Sequence, residues 1–101
     1  MPPTVPAGWT QANDALTRTI ARADFVEALA LVVEIGKLAE AANHHPDIRL
    51  HHYRQVDLTL STHSAGHTVT EKDFALAARI NDLGEDSIRL TKEELRRRFT
   101  A

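Results

Sequence analysis

The sequence predicts an α+β fold of two layers, a four-stranded antiparallel sheet with helices packed on one face, in the order β-β-α-β-β-α plus a short C-terminal helix. Three observations lead to this prediction. Two pairs of short strand-like segments each flank a turn, a long helix-like segment separates the pairs, and another helix-like segment follows the second pair. Since the 101 residues are 43% apolar and 26% charged, the chain has the size and composition of one globular domain.

Composition also argues against several classes of protein. The net charge of −2 gives no field that would attract nucleic acid, and no apolar run approaches the roughly 20 residues of a membrane span. Prolines near the start predict a disordered arm over residues 1–7, followed by a single domain over 8–101. Because the start lacks the pattern of a secretory signal and the chain has no cysteine, we expect a cytoplasmic protein.

Both strand pairs are indicated by turn residues and by alternation. The first pair lies within residues 9–22, on either side of a turn at 13–14. The second lies within 47–63, around a turn near 52–54. Over 55–60 apolar and polar residues alternate with a period of two, which is typical of a half-buried strand.

The first helix begins after Asp24, and Glu27 three positions later completes a capping-box pattern. From residue 25 to residue 43 apolar residues cover more than one helix face. A second subunit packed on this helix would explain the excess, and so would burial on most sides within one chain.

The other two helices are predicted from similar capping patterns. Thr70 with Asp73 begins the second helix, and Thr91 with Glu94 begins a short third one.

All six histidines lie between positions 44 and 67. Glu40 and His44 are four residues apart, so on a helix they share a face and can pair. His45 must point elsewhere, and Pro46 ends the helix directly after it. His63 lies at the end of a strand, on its polar side.

Two kinds of chemistry could use this cluster, besides the plain interpretation as surface histidines. Three histidines and a glutamate resemble a zinc ligand set, but adjacent histidines face one ion less readily than pairs at helical spacing, and the sequence has no HExxH motif. Metal-free proton transfer needs only imidazoles that titrate near neutrality. The spacing favours proton transfer over a metal site.

A longer pattern joins these residues. Glu40-x-x-x-His44-His45-Pro46, followed at fixed intervals by Tyr53, His63 and Asp73, resembles the signature of the pterin-4a-carbinolamine dehydratases. The text "GW" at 8–9, "TLSTH" at 59–63 and "EKDFALA" at 71–77 is also similar to that family. The resemblance runs from about Gly8 to Leu83, and the tail beyond it matches nothing in the family.

The resemblance implies an enzyme that dehydrates 4a-hydroxytetrahydropterin to quinonoid dihydropterin in the recycling of tetrahydrobiopterin-type cofactors, without metal or redox cofactor. It implies that His44, His45 and His63 line the active site. His63 and one of the adjacent pair would transfer protons, and the other member of the pair would hold the pterin. Glu40 would orient His44. A homodimer or homotetramer is also implied. Further residues are implied to surround the substrate: Glu40, Pro46, Thr62, Ser64 and Asp73.

An alternative follows from the same resemblance. Animal members also bind a transcription factor, and some relatives are assembly factors without activity, so the alternative is a non-catalytic binding protein on this fold. Because the whole histidine set is present, the sequence favours the enzyme.

Overall fold

The predicted order of strands and helices is confirmed by the computed structural model, which describes residues 4–12, 14–62, 64, 66 and 68–100. The elements, in chain order, are strands β1 (Thr10–Ala12) and β2 (Ala15–Ala21), helix α1 (Phe25–Ala42), strands β3 (Asp47–His51) and β4 (Gln55–Leu60), and helices α2 (Glu71–Asn81) and α3 (Glu85–Thr100).

The strands form a four-stranded antiparallel sheet in the order β1-β2-β4-β3. Leu16 on β2 lies opposite Leu60 on β4, and both are buried. Side chains alternate between the two faces of a strand. Thr17 and Thr19 of β2 therefore lie on the face opposite to Leu16 and are exposed. One face of the sheet therefore carries the core, as the alternation in the sequence predicts.

Helices α1 and α2 cover that face. Ile35 of α1 and Leu76 of α2 are buried in the same apolar cluster as the inward residues of the strands. Asp24 caps α1 as predicted, its carboxylate accepting a hydrogen bond from the amide of Glu27 at 2.9 Å. In the part of the chain that the structure describes, no helix combines the length and apolarity that crossing a membrane requires.

The start of the chain is tied to the end of α2 through Asn81. Its side-chain oxygen accepts a hydrogen bond from the Trp9 indole at 2.9 Å and another from the Arg18 guanidinium. Its amide donates to the carbonyl of Ala7 at 2.9 Å, and Val5 packs against the core. Residues 5 and 7 of the predicted arm therefore contact the folded body, while residues 1–3 lie outside the described residues.

The third helix is longer than predicted. It begins at Glu85 rather than after Thr91, so that boundary was wrong. Thr91 lies in the middle of α3, is buried, and donates a hydrogen bond to the carboxylate of Glu34 on α1 at 3.1 Å. A threonine three residues before a glutamate resembles a helix cap, but here the hydroxyl connects α3 to α1. α3 thus covers part of the wide apolar surface of α1.

Ion pairs hold α3 against the start of α1. Glu27 lies between Lys92 of α3, at 3.0 Å, and Arg22, at 2.7 Å, so its carboxylate does not complete the predicted capping box. Arg22 also reaches Glu85 at 2.7 Å. The hydrogen bond from Lys92, and then the charge of Arg22, hold the pKa of Glu27 below its ordinary 4.5.

Candidate active site

The two adjacent histidines follow a sharp end of α1. Asn43 adopts left-handed backbone angles, φ 49° and ψ 45°, and its N–H points back to the carbonyls of Ala39 and Glu40. The amide of His44 also donates to the carbonyl of Ala39, at 3.1 Å. This is the usual left-handed ending of a helix, and it turns the chain so that His44 no longer continues the helical spacing.

The partner of His44 therefore differs from the prediction. Glu40 does not pair with His44, because the left-handed residue between them breaks the i, i+4 relation. Glu40 instead contacts Nε2 of His45. Nε2 of His44 lies 2.5 Å from Oδ1 of Asp73, which connects the end of α1 to the first turn of α2.

Asp73 is completely buried and has three polar partners. Besides His44, its carboxylate accepts a hydrogen bond from the Thr70 amide at 2.9 Å, the predicted capping contact at the start of α2. The hydroxyl of Thr62 donates to the same oxygen, Oδ2, at 2.8 Å. One carboxylate thus connects the segment after α1 with the segment after β4.

These segments surround a cleft of about 220 Å³. An adjoining hollow of about 430 Å³ shares Thr62, Ser64 and Lys72 with it. Ligand sites typically measure about 300–1,000 Å³, so the cleft and the hollow together have room for a small ring system. The cleft is lined by Asn43, His44, His45, Ser61, Thr62, Ser64 and Lys72.

The structure brings together most of the predicted site residues. His44, His45, Thr62 and Ser64 line the cleft, and Asp73 lies behind it. Pro46 is half-buried beside the histidines but is not among the lining residues. The prediction for His63, which follows Thr62 in the sequence, falls outside the described residues.

Lys72 was missed by sequence reasoning, although it lines both the cleft and the hollow. Its position in the first turn of α2, next to Asp73, was the available signal. A lysine in a helical segment rich in charge is usually an ordinary surface residue, so that signal was weak.

The two histidines have different surroundings. The side chain of His44 is 11% exposed and its partner Asp73 is not exposed at all. His45 is 58% exposed and its partner Glu40 78%. Water screens the second pair but not the first. His44 is therefore held firmly in one orientation, whereas His45 can exchange its carboxylate partner for water or for a ligand.

Another groove, of about 330 Å³, lies where α3 meets the start of α1. It is lined mainly by charged residues that already pair with one another, among them Arg22, Glu27 and Lys92. Among the residues that the structure describes, no histidine lines this groove. Within the described ranges, which omit 63 and 67, no three histidine, aspartate or glutamate side chains gather closely enough to hold a metal ion.

The sequence of the chain matches one family closely. Residues 3–83 match the family model described as pterin 4 alpha carbinolamine dehydratase. A protein of Chloroflexus aurantiacus, provisionally named a pterin-4-alpha-carbinolamine dehydratase, is 49% identical over 75 residues, which cover 74% of this chain and 78% of that protein. A protein of Thermomicrobium roseum with the same provisional name is 47% identical over 76 residues, covering 75% and 80%.

Solved structures agree on the fold. A crystal structure of a transcriptional coactivator/pterin dehydratase from Brucella melitensis matches with a TM-score of 0.68 and 35% identity, over 74% of this chain and 80% of that one. A pterin dehydratase-like RuBisCO assembly factor of the α-carboxysome matches with a TM-score of 0.57 and 23% identity, over 72% and 82%. At that identity the second likeness concerns the fold alone.

Proposed function

Because the chain belongs to the pterin-4a-carbinolamine dehydratase family, we propose that it dehydrates a 4a-hydroxytetrahydropterin to the quinonoid dihydropterin by histidine acid–base catalysis. Its homologues identify it as a hydro-lyase. The observation that carries the proposal is the cleft in which His44 and His45 lie beside Thr62, the residue before His63.

The proposed reaction removes water across C4a and N5 of the pterin. The C4a–O bond breaks, a proton converts the departing hydroxyl to water, and N5 loses its proton as the C4a–N5 double bond forms. No electrons are gained or lost overall, so the reaction needs no redox cofactor. It needs an acid for the hydroxyl and a base for N5, and imidazole, with an ordinary pKa near 6.5, can serve as either at neutral pH. A hydroxylation that consumes a tetrahydropterin would supply the substrate.

The surroundings of the histidines support a division of roles. In this proposal His44 and His63 transfer the protons, because His44 is buried and fixed on Asp73 and general acid–base catalysis depends on positioning. His45 is more exposed and contacts the pterin, with Glu40 orienting His45 rather than His44. Thr62 and Ser64, which line the cleft, would contact the substrate.

The decisive experiment is a dehydration assay on carbinolamine generated enzymatically, with the uncatalysed rate subtracted. One positioned acid or base typically contributes about 10²–10⁴-fold to the rate, so His63→Ala should lower kcat by a factor of that order. The double variant His44→Ala/His63→Ala should approach the uncatalysed rate.

His52→Asn is the matched control. His52 is exposed, lies in the turn between β3 and β4, and has a φ of 50° that asparagine tolerates. It should keep full turnover. Near-normal turnover in the double variant would refute the assigned chemistry. An unaltered protein without turnover would instead favour a binding role on the same fold.

We also propose that the protein is a homodimer or homotetramer. α3 covers only part of α1, and Phe25 and Val33 of α1 remain 48% and 38% exposed. Burial of these apolar side chains against a second copy would be favourable. Light scattering at micromolar concentration should give two or four chains per particle, and a Val33→Lys variant should shift the mass downwards. A monomer at every concentration would contradict this proposal.

A further inference from the structure

The hydroxyl groups of Thr62 and Thr70 form a hydrogen-bonded row that ends on Asp73. The two Oγ1 atoms lie 2.7 Å apart, and Oγ1 of Thr62 lies 2.8 Å from Oδ2 of Asp73. Thr62 is 5% exposed and Asp73 is not exposed, so water competes little for these contacts. A hydroxyl has one hydrogen and an ionised carboxylate only accepts. Thr62 therefore donates to Asp73 and accepts from Thr70.

The same carboxylate decides which nitrogen of His44 carries a hydrogen. Oδ2 of Asp73 accepts hydrogen bonds from the Thr62 hydroxyl and the Thr70 amide, so this oxygen acts only as an acceptor. Oδ1 then needs a donor, and its partner is Nε2 of His44. Nε2 must therefore carry the hydrogen, which leaves Nδ1 to take up or release a proton.

We infer that Thr62, backed by Thr70, is a positioning residue, and that Nδ1 of His44 is the atom that exchanges a proton with the pterin. The identity of the reaction rests on the proposed function, whereas the hydrogen-bonded row does not. Thr62 also precedes His63 in the sequence. Its buried hydroxyl therefore links the segment that carries one proposed catalytic histidine to the carboxylate that orients the other.

Kinetics of three variants of the full chain test the positioning role. Thr62→Val keeps the shape of the side chain but removes the hydroxyl. Since hydrogen bonds to charged groups are strong, kcat should fall about tenfold or more. The hydroxyl is already bonded to Thr70 and Asp73, and valine keeps the rest of the side chain that would contact the pterin, so KM should change less than about twofold. Thr62→Ser restores the hydroxyl and should stay within about threefold of the unaltered kcat. Thr91→Val removes another buried hydroxyl bonded to a carboxylate, at a position that does not line the cleft, and should keep full kcat.

Nitrogen-15 NMR of the histidine rings tests the tautomer directly. At about pH 8 the unaltered protein should show His44 with hydrogen on Nε2 and none on Nδ1, the signals being assigned by their loss in His44→Gln. Thr62→Val should show a mixture of both tautomers. A hydrogen on Nδ1 in the unaltered protein, or full kcat in Thr62→Val, would overturn the inference while the proposed function stands. Absence of turnover in the unaltered protein would overturn both.

Discussion

Nε2 of His44 lies 2.5 Å from Oδ1 of Asp73, although 29 positions separate the two residues in the chain. Asp73 is buried and belongs to the first turn of α2. The ring of His44 is therefore held by α2 and not by α1, the helix that His44 follows. The orientation of the His44 ring therefore depends on the position of α2 relative to the end of α1.

Asp73→Asn should damage both stability and turnover. Asparagine offers a donor where the carboxylate offered an acceptor, so at least one buried partner loses its hydrogen bond. The free energy of unfolding, measured in urea, should fall by about 1–3 kcal/mol, and kcat should fall at least about tenfold. Asp82→Asn, an exposed position just after α2, is the control and should change neither. An unchanged kcat in Asp73→Asn would contradict the role assigned to the carboxylate.

The left-handed residue at the end of α1 gives a second prediction. Asn43 has φ 49° and ψ 45°, which an alanine adopts only at a cost of about 1–2 kcal/mol. Asn43→Ala should lower the free energy of unfolding by about that amount and reduce kcat, because it disturbs the direction of His44 and His45. Asn43→Gly, which adopts these angles freely, should keep the stability within about 0.5 kcal/mol. Equal stability of the two variants would show that the backbone angle is not what matters.

The ion pairs of Glu27 predict a dependence of stability on pH. The pKa of Glu27 is lowered in the folded protein, first by Lys92 and then by Arg22. A lowered pKa means that the stabilisation is complete above the unfolded value of about 4.5 and is lost as the pH falls through the folded value. Lys92→Met should therefore lower the free energy of unfolding by up to about 1 kcal/mol at pH 7, and the difference should shrink below about pH 4.5.

Urea unfolding at several pH values measures this difference. Arg98→Met, which removes an exposed pair with Glu94, is the control and should have little effect at any pH. A loss in Lys92→Met that stays the same at pH 3 and pH 7 would mean that packing of the lysine side chain, not its charge, stabilises α3.

Metal content distinguishes proton transfer from the zinc interpretation. Nε2 of His44 and Nε2 of His45 each already contact a carboxylate, Asp73 and Glu40 respectively, so an ion would have to displace those contacts or use the other ring nitrogens. We expect far less than one metal ion per chain by elemental analysis and unchanged kcat after treatment with a chelator. Stoichiometric metal together with chelator-sensitive turnover would favour the metalloprotein.

Much of the fold could be predicted from local patterns. The alternation over 55–60 and the caps at Asp24 and Thr70 depend on neighbours in the sequence, and the structure confirms them. Thr91 could not be interpreted correctly in this way. Its hydroxyl binds Glu34, a residue 57 positions away, and no local pattern reports such a contact.

The contacts within the candidate site could also be predicted only in part from the sequence. Position and chemical type identified Asp73 and the pair of histidines, but the predicted partner of His44, Glu40, was wrong. Asn43, a left-handed residue that lies between Glu40 and His44, changes the direction of the rings of His44 and His45. Asparagine enters this conformation more readily than most residues, yet whether it does so is decided by the tertiary structure.

The family match ends at residue 83, whereas α3 runs from Glu85 to Thr100 and supplies Ile88 to the core. A chain shortened to residues 3–83 would lack α3. It would expose the part of α1 where apolar side chains and the carboxylate of Glu34 are now buried. Helix α3 is therefore part of the folded domain, and any shortened version of the protein made for experiments should retain it.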